Sequence, residues 1–160
     1  INSGHNNLNQ TASSIPGPIQ VCIHITDSKT KAGVRVVPVH KDLVELLDNL
    51  ITKSADEYIM SGLTADKYGN RSNAIGKRFG RLKTRTGLGH EYVFHSIRKT
   101  VITVFENLGV SEGLTADIVG HEKKTITYGL YSAGHSIRNK SGAIDKLSYD
   151  FTTPNAHKPK

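Results

Sequence analysis

Strand periodicity is confined to one short part of this chain, and that limits any sheet to a few strands. The run IQVCIHI alternates, with Ile19, Val21, Ile23 and Ile25 on one face, which is the period of a strand. The turn-rich DSKTKAG follows, and then VRVVPV, a second β-branched run. Two such runs joined by a polar turn predict an antiparallel hairpin whose exposed loop carries Lys29 and Lys31. Pro38, near the end of the second run, marks an edge or a strand terminus. Everything downstream reads as helix or loop. The expected fold class is therefore mixed α+β, predominantly helical with a small antiparallel β-sheet.

The helices follow from apolar spacing. HKDLVELLDNLITKS places Leu43, Leu46, Leu47 and Leu50 at helical intervals, so one face is expected to be buried. Residues 55–71 are mixed and expected to be loop-rich, with room for a short helix. SNAIGKRFGRLKTRTGLG predicts a helix up to about Gly87, with Ile75, Phe79 and Leu82 on one face and Arg78, Arg81 and Arg85 on another. That basic stripe is either a solvated face or a phosphate contact. Further helices are expected over His95–Leu108, Ser111–Val119, a short stretch around Thr125–Tyr131, and IRNKSGAIDKLS, where Ile137, Ile144 and Leu147 need a surface to cover them. Residues 1–17 contain no Asp, Glu, Lys or Arg and read as a flexible leader or truncated loop. The expected domain runs over 18–150, and 151–160 reads as a disordered tail.

At 160 residues the chain suits one core. No apolar run approaches the roughly 18 residues of a membrane-spanning helix. Lys and Arg outnumber Asp and Glu by 21 to 14, for a net charge of +7, which suits a polyanionic partner. Cys22 is the single cysteine, so neither an internal disulfide nor a cysteine-rich zinc site can form. The eight histidines include no H-E-x-x-H pattern, and metal binding is a poor reading. There is no G-x-S-x-G elbow and no G-x-x-x-x-G-K-[ST] phosphate loop.

The helix HSIRKTVITVFENL is the most informative segment. Val101, Ile102, Val104, Phe105 and Leu108 define an apolar arc, with Arg98 inside it and His95 one turn earlier on its edge. A guanidinium facing a core is costly unless an anion meets it. Either an internal carboxylate pairs with Arg98, or the anion is a ligand such as phosphate, which the guanidinium fork can grip by two oxygens. His121, after Gly120, is by itself a cap or surface residue as readily as a functional one.

Taken in order, SKT at 28–30, HSIR at 95–98, VGHE at 119–122 and YGLYS at 128–132 resemble the tyrosine recombinase, or phage integrase, family. The resemblance runs from Ile19 to Ser132, most of that family's C-terminal catalytic domain, and implies its DNA breaking–rejoining fold. It implies Tyr131 as nucleophile: Tyr131 lies ten residues past His121, which fits the family, whereas Tyr128 lies seven past and reads as packing or a phosphate contact. It further implies Arg98 and His121 on the phosphate, His95 as proton acceptor or orienter, and Lys29 as proton donor to the departing hydroxyl, with Lys31 the alternative. Lys31, Arg78, Arg81, Arg85 and Lys99 are the expected DNA-backbone contacts. No cofactor or metal is implied, because a phosphotyrosyl link conserves the bond energy.

One departure matters. The family uses a second arginine from a helix upstream of the hairpin, whereas the first arginine here is Arg35, on the second strand. Either residues 1–17 replace that helix or, the favoured expectation, the chain is a fragment with weak cleavage activity on its own, lacking also the family's separate core-binding domain. The expected parent is a site-specific recombinase acting on double-stranded DNA as a homo-tetramer. Accessory DNA-bending or directionality factors, a cytoplasmic, nucleoid-associated location in a bacterium or phage, and no membrane partner complete the expectation. A type IB topoisomerase-like enzyme that relaxes DNA, and a DNA-binding module without activity, are the rivals.

Overall fold

The computed structural model describes residues 20–56, 58–123 and 134–149. Strands β1 (Cys22–Ile25) and β2 (Arg35–Pro38) pair antiparallel, with Cys22 opposite Pro38 and Ile25 opposite Arg35. This is the expected hairpin, and Pro38 is its last residue. The loop between the strands contains a 3-10 turn, Lys31–Gly33. A second 3-10 turn, Lys41–Leu43, leads into helix α1 (Val44–Thr52). Helices α2 (Ser72–Arg85), α3 (Phe94–Asn107), α4 (Glu112–Val119) and α5 (Ile137–Ile144) follow. The result is mainly helical with a two-stranded antiparallel sheet, as the periodicities predict. The expected helix around Thr125–Tyr131, the leader and the tail lie outside the described residues. Among the described residues, no helix is long and apolar enough to cross a membrane.

Local chemistry sets the boundaries. Ser111 caps α4 by accepting from the Leu114 N–H at 3.3 Å, and Ser136 caps α5 by accepting from Asn139 N–H at 3.2 Å. At the start of α3, Ser96 Oγ reaches back to accept from Val93 N–H at 3.1 Å. Two aspartates organise the irregular stretch before α2, where the described residues form no helix. Asp56 accepts from Arg71 and from Gly62 N–H, while Asp66 accepts from the N–H groups of Tyr68 and Asn70 at 2.9 Å.

The core joins β2, α3, α4 and α5. Phe105 is fully buried and clusters with Ile118, Ala143 and Ile144, against which Val37, Val101, Val110, Leu114 and Leu147 pack. Helix α5 thus folds back on its own domain, burying the face carried by Ile144 and Leu147. Polar contacts hold it there. His40 Nε2–H donates to Leu147 O at 3.1 Å while Nδ1 accepts from Asp42 N–H, and the buried Lys140 donates to Val36 O at 3.3 Å.

Two expected apolar faces are only partly covered. In α1, Leu47 is half-buried, but Leu46 and Leu50 remain exposed, as does Leu43 in the 3-10 turn before it. In α2, Ile75 and Phe79 are half-buried while Leu82 is exposed. Phe79 meets Phe94 edge-to-face at 5.3 Å, which docks α2 onto the first residue of α3.

Asp117 on α4 makes a separate junction. Its carboxylate accepts from Lys123 Nζ at 2.8 Å, from His135 N–H at 2.8 Å and from His135 Nδ1 at 2.6 Å. Residues on both sides of 124–133 are therefore fastened to one side chain. Burial alone would raise the Asp117 pKa, but these donors outweigh it and hold the carboxyl below its ordinary value.

This packing can be tested at two positions. Phe105→Ala is expected to cost about 3–5 kcal/mol by urea denaturation, since the vacated volume is enclosed on every side. Asp117→Asn is expected to cost about 1–3 kcal/mol at neutral pH. Because the folded carboxyl titrates below the unfolded value near ~3.9, its contribution is complete above that value. The stability gap between wild type and Asp117→Asn should therefore narrow as pH falls through the folded pKa. A gap that persists unchanged to lower pH would contradict the charge-based account.

Candidate active site

The C-terminus of α4 leaves main-chain carbonyls without intrahelical partners and carries the negative end of the helix dipole. Ala116 O accepts from the N–H groups of Gly120 and His121, at 2.8 and 3.0 Å, which closes the helix by a left-handed glycine turn. The next free carbonyls are met by two arginines from different elements. Arg35, on β2, donates through Nε to Ile118 O at 2.8 Å. Arg98, on α3, makes a short hydrogen bond through Nη1 to Val119 O. Arg35 also donates through Nη1 to Gly33 O at 2.7 Å.

Gly120 is required here twice over. Its φ of 77° is left-handed, a region that favours glycine. A Cβ at this position would also lie 2.5 Å from Arg35 Nη1 and 2.7 Å from its Cζ. The guanidinium therefore lies directly against the turn that presents His121, which is exposed.

The electrostatics are one-sided. Burial, and then the neighbouring Arg98 cation, push the Arg35 pKa down, though a guanidinium still keeps its charge at neutral pH. Among the described residues neither arginine forms an ion pair with a carboxylate. Carbonyls satisfy some of their N–H groups but supply only partial negative charge. Two adjacent cations held in this way favour an anion.

The other candidates lie on α3, on the β1–β2 loop and on α2. His95 is exposed and lies three residues before Arg98, on the same side of α3. Lys99 is exposed beside it. Lys29 and Lys31 are exposed on the β1–β2 loop; among the described residues no hydrogen bond or ion pair joins either to Arg98 or His121. Arg78, Arg81 and Arg85 are exposed along α2, whose Phe79 contact holds that helix beside the residue preceding His95. Tyr128 and Tyr131 lie outside the described residues. Among the described residues no group of three or more His, Cys, Asp or Glu could hold a metal ion.

Two residues of this region are given no role by sequence reasoning. Arg35 carries the same signal that draws attention to Arg98, a cation on a core-facing position: it lies two residues before Val37 in one strand, hence on the face that packs against the core. Asp117 interrupts the otherwise uncharged run Gly113–Val119 of α4.

A tyrosine recombinase XerC-like protein from Caldanaerobacter subterraneus subsp. tengcongensis is 25% identical to this chain over 134 residues. The match covers 75% of this chain and 34% of that protein, so the chain spans about a third of the length of the curated relative. No solved structure matches the chain significantly. The model of the phage integrase family matches residues 19–136, a span that contains the hairpin, both guanidiniums and the Gly120–His121 turn. The chain belongs to the phage integrase family.

Proposed function

We propose that this chain is catalytic-domain sequence of a site-specific DNA recombinase that cuts and rejoins strands through a 3′-phosphotyrosyl intermediate. The observation that supports it most directly is Arg98, anchored on Val119 O beside Gly120–His121 with no carboxylate partner among the described residues. A scissile phosphodiester is the anion such a group suits. Arg98 and His121 engage its non-bridging oxygens, where charge builds in the transition state.

In this reading Tyr131 Oη forms a bond to phosphorus as the bond from phosphorus to the 5′ oxygen breaks. The phenolic proton, with a pKa near ~10, passes to His95. Lys29, or Lys31, protonates the departing 5′ oxygen. Rejoining reverses these transfers with a new strand's 5′ hydroxyl as nucleophile, so no ATP, metal or other co-reactant is consumed. Arg78, Arg81, Arg85 and Lys99 contact backbone phosphates on double-stranded DNA. Assembly of four full-length copies on two DNA sites follows from the need to exchange strands pairwise.

The test uses a randomised pool of duplexes nicked so that cleavage releases a short strand and traps the protein on DNA. Wild-type full-length protein should form an adduct that survives denaturing detergent. Tyr131→Phe should abolish it and Tyr128→Phe should not. Absence of any adduct would leave a DNA-binding module, and relaxation of supercoiled plasmid without a defined site would favour a topoisomerase.

Two further outcomes are expected. Arg98→Ala should slow cleavage on the order of 10²-fold or more, because the transition state then receives one fewer charge-assisted hydrogen-bond donor. Replacing Arg78, Arg81 and Arg85 together should weaken binding across sequences. It should also flatten the plot of log affinity against log salt by about 0.9 for each phosphate that is no longer neutralised.

A further inference from the structure

We infer that Arg35 is a positioning residue for proton transfer to the leaving group, setting the lysine loop against the turn that carries His121. The inference rests on the recombinase reading above. Arg35 itself is given no contact with DNA.

The guanidinium of Arg35 spans two places that are distant in sequence. Nη1 holds Gly33 O at 2.7 Å, at the exit of the β1–β2 loop, and Nε holds Ile118 O at 2.8 Å, in the last turn of α4. Because the group is planar and its N–H directions are fixed, these two bonds define the loop exit relative to that turn. The loop itself closes tightly just above this point. A Cβ on Gly33 would lie 1.8 Å from Ser28 Oγ and 2.4 Å from Ser28 Cβ, so the two limbs touch. Gly33 N–H also donates to Thr30 O at 3.0 Å, and Val34 N–H to Lys31 O at 3.2 Å.

Lys29 and Lys31 therefore sit on a small closed loop with its base fixed by one side chain. On the opposite side, Gly120 lacks the Cβ that would displace that guanidinium. Arg98 makes the parallel attachment from α3, on the adjacent carbonyl. The loop that bears the proton donor and the helix that bears the phosphate-gripping arginine are thus registered on consecutive carbonyls of α4. Loss of Arg35 frees the loop while leaving Arg98 attached.

The experiment separates proton donation from phosphate binding. Two suicide duplexes are compared, identical except that the bridging 5′ atom at the cleaved bond is oxygen in one and sulfur in the other. A thiolate, whose conjugate acid has a pKa near ~8.5, leaves without a proton donor, whereas an alkoxide needs one. In full-length protein, Arg35→Gln should slow cleavage of the oxygen substrate about 10²-fold or more and leave the sulfur substrate near wild type. Lys29→Ala, or Lys31→Ala if that lysine is the donor, should give the same pattern, and the corresponding double variant should lose little beyond the singles.

Arg98→Ala should slow both substrates. Equal loss on both substrates in Arg35→Gln would overturn the inference, pointing to phosphate contact or general disorder of the site. Should Arg35→Gln fail to fold by circular dichroism, the same two rates measured on Arg35→Lys decide the question. No adduct from wild type on either substrate would defeat the recombinase reading itself, an outcome distinct from the failure of Arg35.

Discussion

The last turn of α4 is where the molecule's parts are brought into register. A helix of eight residues has as many unsatisfied terminal carbonyls as bonded ones, so how its end is satisfied decides what can pack there. Ala116 O takes the backbone N–H groups of the glycine turn, and Ile118 O and Val119 O take guanidiniums from β2 and α3. The side chain of Ile118 meanwhile lies in the core with Phe105. One turn thus has an apolar side fixed by packing and a polar end fixed by two cations.

Carbonyl partners have a consequence that carboxylates would not. Pairing Arg35 and Arg98 with Asp or Glu would hold them equally well but cancel their charge. Neutral acceptors orient the guanidiniums and leave the field positive, with the helix dipole offsetting part of the repulsion between them. A nearby position on the same helix follows the opposite rule. Asp117 uses a full charge to gather Lys123 and His135, a junction that joins segments on either side of 124–133. Carboxylate is used where residues are fastened, and carbonyl where cations are kept available.

The C-terminal helix completes this arrangement from the other side. Ala143 and Ile144 close the core with Ile118 of α4, while Lys140 and Leu147 reach β2 and the residue before the second 3-10 turn through Val36 O and His40. The hairpin is therefore held at both ends, by α5 along its strand and by Arg35 at its loop exit. A two-stranded ribbon alone would be marginally stable in water; here its order derives from the helices that it meets.

Periodicity alone determined a good deal about this protein. The hairpin, α3, α4 and α5 are legible because alternation and helical spacing are local properties, and Ser111, Ser136 and Gly120 mark ends by local chemistry. Arg98 stands out because a cation inside an apolar arc conflicts with its own helix. Leu43, Leu46 and Leu50 specify an equally clear helix, yet not its burial, since spacing says which face is apolar and not what covers it. The role of Arg35 is hidden because its partner, Ile118 O, lies 83 residues away and a backbone carbonyl has no signature in sequence. That of Asp117 is hidden for a similar reason: its partners flank another segment. The sequence determined which residues are cations and which elements bear them. Only the tertiary structure decided that two of them close on consecutive carbonyls of one helix, because long-range pairing is set by how the elements pack and not by any pattern along the chain.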